Sequence, residues 1–236
     1  MIRRLQTDQR GVSIMEMLVT LAVGSILLAA IFGALDYSVK ANGKVQDRVD
    51  SAQRGRAAME LITQQLRSQI CLGPGYPAIP VTPSSDGNSI TFYTDLGGDT
   101  PKLQRRTITY SNGTVYETDY NVGGTIPTAP TFTLARQNWV IADRLAVVPN
   151  TPFFRYYAFT QNPVTPSQWL NSTAPSYALA DADKPNVVKV SISFIANPLR
   201  GPGVQGTANA SLSTFQNDVY VRTSDASDPD HSPQCI

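Results

Sequence analysis

Arg10-Gly11-Val12-Ser13-Ile14-Met15-Glu16 places a carboxylate, Glu16, inside an otherwise apolar run that continues from Met17 to Leu35. As a helix rising about 1.5 Å per residue, that run is about 28 Å long and matches the hydrocarbon core of a bilayer. A carboxylate there is costly, so it needs a charged partner or a functional reason. The other reactive side chains are Cys71 and Cys235. In an exported chain an even cysteine count favours one disulfide, and bridging these two would close a loop for which chain entropy gives about 5 kcal/mol at most. Two separate thiols or a pair of metal ligands are the alternatives, but with His231 as the one histidine, a zinc set is short of donors.

Catalytic patterns are sparse, and no catalytic residue, metal site or cofactor is expected. His231 lies in the tail DASDPDHSPQCI, too poor a setting for a Ser-His-Asp arrangement. Gly201, Gly203 and Gly206 lack the Lys-Ser or Lys-Thr of a phosphate loop. Asp181 and Asp183 suggest calcium only faintly, because the EF-hand spacing is absent. The Asn-x-Ser/Thr triplets at Asn112, Asn171 and Asn209 are common by chance.

These residues need elements to position them. Arg3, Arg4 and Arg10 outweigh Asp8 ahead of the span, which holds that end in the cytoplasm and puts everything after Leu35 outside. A secretory signal peptide fits worse, since Ala29 to Leu35 offers no clean small-x-small cleavage site. With 236 residues and 42% hydrophobic content, the chain has room for an anchor and one globular domain with its own core. Its formal net charge of +1 becomes about −1 without residues 1–11, which carry three Arg and one Asp, so no nucleic-acid field is implied.

The basic leader, the glycine that ends it and the glutamate in fifth place after it resemble the class III signal of type IV prepilins and type II secretion pseudopilins. The resemblance implies that prepilin peptidase cuts between Gly11 and Val12 and that the new amino group on Val12 is N-methylated. It also implies that Glu16 faces the terminal amine of a neighbouring subunit, so that two groups expensive in lipid meet as an ion pair and set the assembly register. Val12 departs from the aromatic, most often Phe, that the family carries there. The implied partners are other pilins or pseudopilins through the N-terminal helix, prepilin peptidase and an inner-membrane assembly platform. The implied location is the cytoplasmic membrane, then an extracellular filament. A stand-alone membrane-anchored binding domain, adhesin or enzyme is the competing reading, and it needs neither Gly11 nor Glu16.

Beyond the span, Val45, Val49, Ala52, Met59, Ile62, Leu66 and Ile70 recur at helical steps opposite a charged face, and Gly73-Pro74 supplies a stop. Gly24, Gly33, Gly43 and Gly55 soften the helix by about 1 kcal/mol each. After Pro74 the composition turns to β-formers. Strands are expected at residues 89–95, 105–111, 114–119, 131–135, 139–148, 153–160, 187–195 and 215–223, with Asn112-Gly113 as a hairpin turn. Gln161 to Lys184 reads as a long polar loop carrying Trp169 and Tyr177, a candidate for contacting a partner.

The expected organisation is a leader at 1–11, a transmembrane or filament-core helix at 12–35, an amphipathic half at 36–72 and a β-rich domain at 73–236. Its fold class is α+β, the pilin fold: a long N-terminal helix packed on a mainly antiparallel sheet or two small sheets. Ile141-Ala142-Asp143-Arg144-Leu145, Phe153 to Tyr157, Val187 to Ile192, Ala58 to Arg67 and Val219 to Arg222 are similar to segments of PilW-type minor pilins and J-type pseudopilins. That similarity implies a minor subunit with a priming or tip role and leaves open whether the machine serves a pilus, secretion or DNA uptake. Gln64-Gln65 depart from it, since an acidic residue is usual before Leu-Arg.

Overall fold

The computed structural model describes residues 13–70, 85–95, 103–125, 129–161, 164–198 and 213–221. The leader, the Gly11-Val12 junction, Cys71, Gly73-Pro74, Asn209, Cys235 and the tail after Asp225 lie outside the described residues.

Helix α1 runs Ile14–Arg67. In the first of two compact units, which ends at Gln46, it is almost wholly exposed. It starts where the Ser13 carbonyl accepts the N–H groups of Glu16 at 2.9 Å and Met17 at 3.1 Å. The hydroxyls within the apolar run are satisfied by their own helix: Thr20 donates to the Met17 carbonyl at 2.9 Å, and Ser25 to Ala22 at 2.8 Å. A segment satisfied in this way needs no water.

The second unit begins at Asp47. There α1 buries Asp47, Ser51, Gly55, Ala58, Met59, Ile62, Thr63 and Leu66. This differs from the expected stripe: Val49 is 49% exposed, as is Val45 of the first unit at 61%. At Gly55 the inward position is small because the Phe215 side chain of β9 lies against it. A Cβ built on Gly55 would overlap the Phe215 ring, so Gly55 is a packing requirement as well as a soft point. The helix also ends earlier than expected. The Ile70 N–H is taken by the Tyr93 carbonyl at 3.0 Å and Gln69 bridges to Thr94, so a strand captures the backbone before Gly73 is reached.

Two antiparallel sheets follow. The first has the order β1 (Ser89–Asp95), β2 (Leu103–Ser111), β3 (Thr114–Thr125) and β4 (Ala129–Ala142). Asn112 and Gly113, with φ of 48° and 82°, make the two-residue turn between β2 and β3. The stretches expected at 131–135 and 139–148 are mostly one strand, β4, whose register with β3 shifts near Asn138, itself at φ 49°. Such shifts absorb extra residues as bulges.

The second sheet contains β5 (Leu145–Ala146), β6 (Phe154–Gln161), β7 (Val164–Trp169), β8 (Lys189–Ala196) and β9 (Ser213–Tyr220), with β8 between β6 and β9. Strand β7 lies in the stretch expected to be loop. Pro166 hid it, because proline argues against a strand except at an edge, which is where β7 sits.

An aromatic stack joins sheets and helix in this unit. Tyr110 of β2 lies 5.0 Å from Phe153, Phe153 lies 5.5 Å from Phe194 of β8, and Phe194 lies 5.6 Å from Phe215 of β9, which covers Gly55. Burying rings of this size dominates the energetics of a core, and offset stacking adds about 0.5–1.5 kcal/mol per pair. The result is an α+β, pilin-like layout in which a long N-terminal helix packs on antiparallel sheets.

Candidate assembly segment and the charge cluster behind the helix

Glu16 stands in the first turn of α1, where a carboxylate is favoured by the partial positive charge of the helix start. Ser13-Ile14-Met15-Glu16 also has the residue types of a capping box, a local role for Glu16 that the sequence reading passed over. Between Ile14 and Leu35 it is the one ionisable side chain. The next charges are Asp36 and Lys40, paired at 2.7 Å one turn apart. They mark where the apolar surface stops. The helix is long and apolar enough to cross a membrane, with a mean hydropathy of 2.5 in its most apolar window and none of that window buried. Ile14, Leu18, Leu21, Ile26, Phe32 and Leu35 are all exposed, so this surface requires lipid or other helices to cover it.

In the second unit one cluster of charged groups is buried. Glu117 of β3, 2% exposed, receives Arg106 Nη1 at 3.0 Å and Arg136 Nη2 at 2.9 Å. Arg136 also holds Asp119 at 2.8 Å, and its guanidinium lies 4.9 Å from the centre of the Trp139 ring. From α1, Gln65 donates its Nε2 to Glu117 Oε2 at 2.7 Å. Burial raises the Glu117 carboxyl above its ordinary value, with the neighbouring Asp119 adding to the shift. Two guanidinium groups against two carboxylates leave the cluster neutral, and breaking a buried pair of this kind costs about 3–5 kcal/mol. The sequence carries the signal as Arg106, then Glu117 and Asp119 two apart, then Arg136. Only strand register shows that they converge.

Within the segment expected to contact a partner, a few side chains are engaged internally, while residues 172–176 are exposed. Asn171 is fully buried: its Oδ1 accepts the Tyr156 N–H at 3.0 Å and the Trp169 indole N–H at 2.7 Å. Its Nδ2 donates to the carbonyls of Phe154 and Tyr177 at 3.0 and 3.2 Å. The carboxamide is a latch, and a glycan could not be attached there in the folded chain. Trp169 stacks on Tyr177 at 6.4 Å. Asp181 is engaged by the Lys184 ammonium, so the aspartates of this turn do not present a bare calcium site. Among the described residues there is no group of three or more potential metal ligands. Buried Tyr156 donates its hydroxyl to the Ser89 carbonyl at 2.8 Å, and burial lifts it well above its ordinary value. It pins β6 to the start of β1 and is not poised to titrate.

Comparison with known proteins bears on the N-terminal segment. Residues 6–32 match the prokaryotic N-terminal methylation motif. No curated protein matches the chain. The motif is that of prepilin-type precursors, which a peptidase processes, and the proteins that carry it are structural subunits that assemble with other pilins. Together with the apolar N-terminal helix, it points to membrane anchoring.

Proposed function

We propose that the chain is a minor pilin or pseudopilin, a structural subunit that enters a type IV pilus or type II secretion-like filament, with a priming or tip role. The observation that carries this reading is the methylation motif over residues 6–32 lying on an uncovered apolar stretch of helix, Ile14 to Leu35, with Glu16 as its one ionisable side chain. In this account prepilin peptidase cuts between Gly11 and Val12, and the new terminus on Val12 is N-methylated while the chain sits in the cytoplasmic membrane with its β-rich part outside. Glu16 then finds the terminal amine of a neighbouring subunit. In lipid each group alone is expensive, so subunits settle where both are neutralised and the pair acts as a register. The inner-membrane assembly platform lifts the subunit out. Cys71 and Cys235 join on the oxidising side.

Glu16→Ala tests the register. The change makes the span more apolar, so the variant should insert and be processed normally, yet enter or initiate filaments poorly. Filaments of normal number and composition in the variant would contradict the ion pair.

A further inference from the structure

An unpaired strand edge invites another strand, and folded chains guard such edges. Here the guards can be followed edge by edge. On β1 the Thr91 N–H is taken by Ser85 Oγ at 2.8 Å and the Tyr93 carbonyl by Ile70. On β9 the Asp218 N–H is taken by Asn217 Oδ1 at 3.0 Å, while Asn217 Nδ2 is tied to Thr63 of α1 at 3.2 Å. Strand β7 carries Pro166. Strand β4 carries Pro130 at its beginning, but from Thr131 to Ala142 it has none of these guards: it ends its sheet, and among the described residues no group bonds its outer edge there.

The groups on that edge follow from the hairpin. Ser111 and Thr114 close the two-residue turn as a bonded pair, so alternate residues Tyr116, Thr118 and Tyr120 bond β2. Asn121 and Gly123 then face Thr133 and Thr131, which leaves the N–H and C=O groups of Phe132 and Leu134 pointing away from the sheet. Phe132, Leu134, Trp139 and Val140 are exposed, Leu134 at 49% and Trp139 at 56%.

We propose that β4 pairs edge to edge, antiparallel, with β4 of a second copy of this chain. The edge needs a strand that is itself unpaired, and β4 is the one unguarded long edge found among the described residues. From Thr131 to Ala142 there is no lysine or proline to oppose pairing. The one charge, Arg136, is neutralised within its own chain by Glu117 and Asp119, so two copies meet without bare like charges. A two-fold axis near Leu134 makes the contact isologous and closed, burying the exposed apolar side chains of both strands. The inference stands apart from the filament reading and does not require it.

The test uses the full-length chain. p-Benzoylphenylalanine in place of Leu134, irradiated in membranes, should give a product of twice the chain's mass. In detergent solution, light scattering should show a dimer whose dissociation constant rises at least tenfold in Leu134→Lys and is unchanged in Gln168→Lys on β7. A monomer at all concentrations, a dimer indifferent to Leu134→Lys, or a cross-link to a protein of another mass would each overturn the proposal. If Leu134→Lys loses its protease resistance, the cross-link in the otherwise unaltered chain decides.

Discussion

Gln65 on α1 donates a hydrogen bond to Glu117 on β3 at 2.7 Å, tying the helix to a buried carboxylate that already serves two arginines. The amide at position 65 supplies a donor where a carboxylate would bring a third negative charge, beside those of Glu117 and Asp119. Gln65→Glu should therefore destabilise the fold by about 2–4 kcal/mol at neutral pH, while Gln65→Ala, which only removes a bond to a charged group, should cost about 1.5–3 kcal/mol. Urea unfolding of both variants measures the order. Equal or better stability for Gln65→Glu would show that the cluster tolerates an extra charge.

Glu117 also predicts a pH dependence. Its carboxyl is raised above the ordinary 4.5, chiefly by burial and then by Asp119, so the folded chain binds that proton more tightly than the unfolded one. The sign follows from linkage: this contribution is whole below about pH 4.5 and is lost as pH rises through the folded value. Glu117→Gln cannot titrate. The stability of the wild type relative to Glu117→Gln should accordingly fall as pH rises from 4.5, as denaturation series across that window would show. A gap that moves in favour of the wild type with rising pH would contradict the assignment.

Gly55 and Phe215 form a second coupled pair. Alanine at 55 would gain about 1 kcal/mol in helix propensity, yet its Cβ would overlap a ring already stacked on Phe194. Net destabilisation of about 1–3 kcal/mol is expected for Gly55→Ala. In a Phe215→Leu background the same change should cost little or become favourable. A double-mutant cycle with no coupling would separate the two residues.

Cys71 and Cys235 should be joined in exported protein. Non-reducing peptide mapping should recover them as one cross-linked species, and Cys235→Ser should lower stability by a few kcal/mol. Two free, alkylatable thiols in the folded chain would remove the bridge.

Much of the fold was legible in local pattern. Asn112-Gly113 gave its hairpin, the alternation in Ser89–Asp95 gave β1, and the apolar run gave the helix start. Misreadings arose where a long-range contact set the outcome. Val45 and Val49 fit a helical stripe, but the face that is buried holds Gly55, against Phe215, and Ala58, Met59, Ile62 and Leu66. The Gly73-Pro74 stop was overtaken by the pairing of Gln69 and Ile70 with β1. Pro166 obscured an edge strand, and the latch role of Asn171 was not legible because nothing nearby in sequence announces its four buried partners. The processing motif was legible because a peptidase reads sequence. The charge cluster was not, because strand register assembles it.

The most direct measurement is the mass of the N-terminal peptide of the membrane-extracted protein from cells with prepilin peptidase. The account predicts a mature chain beginning at N-methylated Val12, with the Gly11 bond cut. A chain still beginning at Met1 in such cells would contradict it.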